Sequence, residues 1–195
     1  MKKILPVILI FTVIFGQSNF NKVGSVGVLF LNLPAGAAAQ GMGNAYSSSI
    51  QGASAVFWNP ALLGWSKSVQ SFLSYSKWLL DLHHQTAAIT FRLGRFGIGV
   101  SQSLLKSSPM LVTTTSQPRG TGEYFQYYDL AAGFSVARAF SDRFSLGGSF
   151  KIIHESAYEI HATGWGIDIG SFYWIGFNDW RITMVLRNFG PDMQF

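Results

Sequence analysis

The chain has 195 residues, of which 48% are hydrophobic and only 12% charged, with a net charge of +5. That length allows one domain, and the balance is too apolar for an ordinary soluble one, yet no run after the leader is long enough for a membrane helix. Cysteine is absent, which excludes a disulfide framework and a thiolate metal site. The basic residues, such as Arg92 with Arg95 and Arg138 with Arg143, flank turns and form no aromatic-interleaved cluster of the kind nucleic acid requires. A membrane β-barrel reconciles these features, because its apolar residues are dispersed at every second position.

Met1-Lys2-Lys3 followed by the apolar run Ile4 to Phe15 reads as a secretory signal, too short to span a bilayer. Gly16, Gln17 and Ser18 supply a small-x-small site, so residues 1–18 are expected to be a signal peptide cleaved near Ser18. The alternative is a buried N-terminal helix.

Within residues 19–66, the stretch from Phe30 to Gly64 is neither strand nor long helix. Pro34, Gly36, Gly41, Gly43, Gly52 and Pro60 break any regular element. Between them, Ala35 to Ala39, Ala45 to Ser49 and Ala53 to Val56 are small and suit close packing against other backbone. Trp58, Asn59 and Pro60 end the stretch with a turn-initiating pair beside a large aromatic anchor. Gly41-x-Gly43 begins a dinucleotide fingerprint, but Tyr46 takes the third glycine's place and no βαβ unit follows, so tight packing is the better reading.

The pieces GMGNAY (41–46) and ASAVFWNPALL (53–63) resemble the N-terminal signature of the PorV/PorQ family, which sits within the FadL-like outer-membrane barrels. SKWLLDLHH, PRGTGEYF, YDLAAGFSVARAFSDRFSLGGSFKIIHES, TGWGIDIG and RNFGPDMQF are also similar to it, so the resemblance covers nearly all of the chain after the leader. The chain departs from the pattern at Gln51 and Gly52, where an acidic pair would precede Ala-Ser-Ala, and no role for those carboxylates carries over. The resemblance implies a plug folded inside a barrel, with Gly36, Gly41, Met42, Gly43, Tyr46, Trp58, Asn59, Pro60 and Ala61 as its structural signature.

From residue 67 onward the sequence turns to short alternating segments separated by turn signals, as consecutive hairpins do. Val69 to Tyr75 is ambiguous in its facing. In the next strands Ile89 and Phe91, then Phe96, Ile98, Val100 and Leu104, share one face, while Thr86, Ala88, Thr90, Gly97, Gly99, Ser101 and Ser103 share the other. Lys106 to Gln126 reads as a loop. Tyr128, Leu130, Phe134 and Val136 then oppose Asp129, Ala131, Gly133, Ser135 and Ala137. Phe144, Leu146, Phe150 and Ile152 oppose Ser145, Gly147, Ser149 and Lys151. Trp165, Ile167, Ile169 and Tyr173 oppose Gly164, Gly166, Asp168 and Gly170, and Ile182, Met184 and Leu186 oppose Arg181, Thr183 and Arg187. Large apolar side chains toward lipid and small or polar ones toward an enclosed space predict an all-β, antiparallel transmembrane barrel; a soluble sandwich is the alternative. Aromatic clusters at Tyr124, Phe125, Tyr127 and Tyr128 and at Tyr173, Trp174, Phe177 and Trp180 suit interfacial girdles, or are ordinary strand aromatics.

Seven predicted strands in residues 67–195 cannot close alone, because single-chain bacterial barrels have an even number. FadL-like barrels have twice as many, so the sequence reads as the N-terminal half of a longer product, a fragment in that sense.

No catalytic constellation emerges and no cofactor is expected. Ser103 and Lys106 match S-x-x-K by spacing but need a helical turn that the strand pattern denies them. His83 and His84 point to opposite faces, and His154 and His161 flank a predicted loop over Glu155 to Ala162 and lack a third ligand, so all are read as loop histidines at a wet rim. Asp129, Lys151 and Asp168 are the lumen-facing polar candidates; Lys151 and Asp168 either pair with each other or the plug, or stand as solvated lumen charges.

The expected function is therefore that of a non-catalytic β-barrel in the outer membrane of a Gram-negative-type bacterium, in contact with outer-membrane lipid. By resemblance to PorV it receives secreted cargo proteins from a type IX translocon. The competing class is a FadL-like transporter of a hydrophobic small molecule, and a third reading is a partial open reading frame without a function of its own.

Overall fold

The computed structural model describes residues 27–49 and 52–193; the expected signal peptide lies outside the described residues. Its body is an antiparallel meander of β1 (Gln70–Lys77), β2 (His83–Leu93), β3 (Phe96–Lys106), β6 (Tyr127–Ala139), β7 (Phe144–Ala157), β8 (Ile160–Trp174) and β9 (Arg181–Phe189), a seven-stranded sheet in sequence order. β4 (Met110–Leu111) and β5 (Tyr124–Phe125) form a small separate hairpin. The sheet is open, with β1 and β9 as its edges.

The two faces divide as alternation predicts. One row runs straight across the convex face through Ile89, Val100, Phe134, Phe150, Ile167 and Phe189, each the register partner of the next. Ile89, Val100, Phe134 and Phe150 are each about half exposed, at 47%, 49%, 51% and 48%. Thr90, Ala131, Ser135, Ala137, Ser145 and Asp168 point the other way and are buried. β1, unassigned from sequence, takes its facing from Phe72, which turns inward against Phe57 while Leu73 and Tyr75 stay outside. Exposed Gln102 interrupts the convex side within β3.

Three differences from the sequence reading concern strand ends. Glu155 to Ala162 is not a loop, because the β7–β8 ladder continues through Glu155↔Ala162 to Ala157↔Ile160 and turns on Tyr158, whose φ is 57°. Lys106 to Gln126 is not wholly a loop, since it holds the Met110↔Phe125 and Leu111↔Tyr124 pairs. The histidines belong to strands: His84 is buried and meets Ser103 Oγ at 3.1 Å, while His154 and His161 stack at 6.5 Å across the β7–β8 ladder. Tyr127 also differs from its aromatic neighbours, for its hydroxyl donates to the buried carboxylate of Asp129 on the concave side.

The concave face is filled by residues 27–49 and 52–66. Short helical turns at Leu29–Asn32, Ala53–Phe57 and Pro60–Trp65, and the helix α1 (Ala37–Gly41), fold into it. Two apolar clusters result, one around Leu63, Val56 and Trp58, the other around Phe30, Leu31 and Ile153.

The fit depends on strand glycines. A Cβ on Gly147 would stand 2.6 Å from Pro60 C and Ala61 N, and Gly97 and Gly170 face Leu63 and Asn59 more closely still. The next residue, Gly148, faces outward, with nothing nearer than the Asp168 carbonyl at 3.5 Å. Gly147→Val should therefore destabilise the fold by about 1–3 kcal/mol through overpacking, whereas Gly148→Ala should change stability by no more than about 0.5 kcal/mol. Denaturant titration of the two variants in the same detergent checks the contrast, and equal effects would refute it.

Candidate functional site

The site is the contact between plug and sheet. Its anchor is Asn59, fully buried and extended at φ −150° and ψ 101°, which caps the turn that Pro60 opens. The preset φ of Pro60 suits a first helical position, and its missing N–H is one that no capping group has to satisfy. Asn59 Oδ1 accepts from Ala61 N at 3.0 Å, and its Nδ2 donates to the Ser171 carbonyl of β8 at 3.2 Å. One side chain thus satisfies its own turn and ties that turn to the sheet. Ser145 of β7 adds a second tie by accepting from Trp65 Nε1 and donating to the Ala61 carbonyl, both at 2.8 Å.

The signature residues divide into two groups. Trp58, Asn59, Pro60 and Ala61 are buried; Tyr46 packs edge-on against Trp58 at 6.4 Å, and Gly36 lies under the Phe72 ring. Gly41, Met42 and Gly43 are exposed. The packing role read for Gly41 and Gly43 is not observed, because a Cβ on either would meet nothing within 4 Å; Gly43 is instead required by its φ of +58°. Ala45 to Ser49 likewise stays at or near the surface, unlike Ala39, Ala53 and Ala55, which are buried.

All three lumen candidates face the plug side. Lys151 and Asp168 form an ion pair at 2.9 Å, buried on both sides. The pair is organised by a bulge in β9, where the register passes from Ile169↔Leu186 to Ile167↔Phe189 and sets Arg187 and Asn188 against Asp168 alone. Asn188 takes a φ of 57°, which asparagine tolerates better than most residues. Its amide donates to Asp168 Oδ1 at 2.8 Å and its Oδ1 accepts from Lys151 Nζ at 2.5 Å. Arg187 donates to the Leu31 carbonyl at 3.3 Å and lies over the Trp58 ring at 5.2 Å, so the bulge grips the plug with one residue and the ion pair with the next.

Nearer the loop end, Asp129 and Glu155 are register partners and both buried. Glu155 Oε1 accepts from Val28 N at 2.6 Å, fixing the start of the described plug. Sequence reasoning missed Glu155 and Asn188. Ser145 and Arg187 were on the correct face, but their contacts with the Ala61 and Leu31 carbonyls carry no sequence signal. Among the described residues no group of three histidine or carboxylate side chains is placed to hold a metal ion. Ser103 and Lys106 sit on opposite faces of β3, so S-x-x-K brings no nucleophile to a base.

The chain matches no protein-family model and no curated protein.

Removing one member of the Lys151–Asp168 pair leaves the other charge buried without its partner. Lys151→Met should cost about 3–5 kcal/mol, and the double variant with Asp168→Asn should recover most of that loss. A double-mutant cycle on unfolding free energies checks this. Additive losses would show that the pair is not coupled.

Proposed function

We propose that the chain forms part of a non-catalytic outer-membrane β-barrel of the PorV/PorQ type, which receives secreted cargo for a type IX translocon. The observation that carries the membrane half of this reading is the continuous row from Ile89 to Phe189, half exposed along most of its length on the convex face. A soluble sheet would cover such a surface, since large contiguous apolar patches seldom face water. The opposite face is already occupied by the plug, so no second layer can be reached from there. Tyr173, Trp174, Phe177 and Trp180 at the short-turn end, and Tyr124 and Tyr128 at the loop end, would lie at the two interfaces.

Closure is part of the proposal. In the meander β1 and β9 run in the same direction, so an antiparallel barrel needs an odd number of added strands between them. In lipid each unpaired edge group would cost several kcal/mol, roughly.

The cargo half rests on the resemblance and on the asymmetry of the two ends. Turns at 94–95 and 140–143 are tight, whereas the opposite end carries the long 107–126 segment with its own hairpin. Recognition commonly resides in such loops while strands carry closure. The transporter reading is less well supported, because the cavity beside the plug holds only about 30 Å³, and the larger space of about 500 Å³, beside Leu73, Tyr75 and Gln85 at the β1–β2 edge of the sheet, is open.

Phe134→Arg should destabilise the protein in bilayers by about 2–4 kcal/mol, and Tyr128→Arg near the rim by about 0–1 kcal/mol. In a soluble protein Phe134→Arg would be neutral or favourable, so the sign of the change decides. Deleting 108–122 should abolish cargo attachment while outer-membrane fractionation stays normal. Attachment at the unaltered level would overturn the cargo reading, and impaired fatty-acid or hydrocarbon uptake in a deletion strain would favour transport.

A further inference from the structure

We infer that the cavity between plug and sheet is a binding site for one small inorganic anion of the halide class, held between Trp58 and Arg187. Both residues line the cavity, as do Thr86 and Lys151. Trp58 Nε1, Arg187 Nε and Thr86 Oγ1 are shut off from solvent and have no hydrogen-bond partner among the described residues. Trp58 and Thr86 are 5% and 4% exposed, so neither finds compensation in bulk water. Buried polar atoms are normally paired, and three unpaired ones around a single cavity mark an occupant.

The chemistry of the donors narrows what that occupant is. Indole and guanidinium N–H groups only donate, and the Thr86 hydroxyl can do so as well, so the occupant must accept. Charge points the same way. Lys151 is neutralised by Asp168 at 2.9 Å, whereas among the described residues no carboxylate lies within 4.0 Å of the Arg187 guanidinium. Lys151 and Arg187 against Asp168 leave one positive charge beside the cavity, and a partly buried guanidinium whose Nε is shut off from solvent is costly without a counter-charge. A water molecule would accept the same hydrogen bonds but would leave that charge uncompensated.

Size completes the assignment. A water needs about 10–15 Å³, and the cavity offers about 30 Å³. That accommodates a monatomic anion. The β9 bulge is what makes the site, because it lets Arg187 and Asn188 both serve the concave side where a regular strand would present only one of them.

The test uses the full chain in detergent micelles, with bromide as the probe. Crystals grown in bromide and measured at the bromine edge should show an anomalous peak beside Trp58 Nε1; a cavity that is empty or holds only water overturns the assignment. In solution, millimolar chloride or bromide should raise the unfolding midpoint relative to gluconate at equal ionic strength. Trp58→Phe, which keeps the ring and removes the donor, should weaken halide affinity several-fold, and Arg187→Met about tenfold or more, as expected for a charge-assisted bond. Identical halide responses in wild type and Trp58→Phe, or an equal response to gluconate, would overturn it.

Discussion

The structure depends on how closely the backbone of residues 59–64 approaches the sheet. Gly147 and Gly170 leave no side chain between the strands and the Asn59–Pro60–Ala61 turn, Gly97 does the same for Leu63, and Gly64 itself comes near the backbone of Ala139 and Arg138. At that separation main-chain and short side-chain groups bond directly: Asn59 to the Ser171 carbonyl, Ser145 to the Ala61 carbonyl. The glycines weaken strand propensity locally, by roughly 0.5–1 kcal/mol each in a regular element, and the buried contacts around Leu63 and Val56 offset that loss. The sheet's curvature therefore encloses a folded segment instead of a liquid-filled space.

This constraint explains the rest of the concave surface. Where the plug is near, strands carry glycine, alanine or serine; where it stands further off, charged residues are admitted, in hydrogen-bonded groups. Lys151 with Asp168 and Asn188 forms one group, Arg187 with Leu31 and Trp58 another, and Val28 with Glu155 a third. Each of the last two binds a backbone group of the plug. Apolar packing sets the distance between plug and wall, and these polar contacts select the register in which the plug lies.

Much of this was legible in the sequence where the period of two is accompanied by a difference in size. From Thr86 to Val100 and from Asp129 to Ser149, large residues alternate with small ones, and the faces follow directly. The signal fails beyond the apolar band. Around Glu155 to Ala162 both faces carry polar or small residues, so the strand extension there looks like a loop although its ladder continues. It fails again at the β9 bulge, because a strand read at strict alternation puts Arg187 and Asn188 on opposite faces. It also fails for glycine, whose two uses look alike: Gly147 is needed for space and Gly43 for its positive φ.

The asymmetry between faces also bears on how such a sheet would be stabilised. In a sheet that packs its large side chains inward, those side chains form the core and the small ones are incidental, so exchanging the roles of the faces would destroy the fold. Here the buried core consists mostly of plug residues, with Leu63, Val56 and Trp58 supplying the bulk and the strands supplying the floor. The plug is therefore not an accessory to a sheet that is stable without it. Removing it would uncover Asp129, Glu155 and Asp168 together with a glycine-lined surface, and the large inward side chains of the strands, such as Phe72, Leu105, Ile153 and Phe172, are too few to fill the space. A mechanism that requires the plug to leave entirely would have to replace this core, whereas one that works at the loop end leaves it in place.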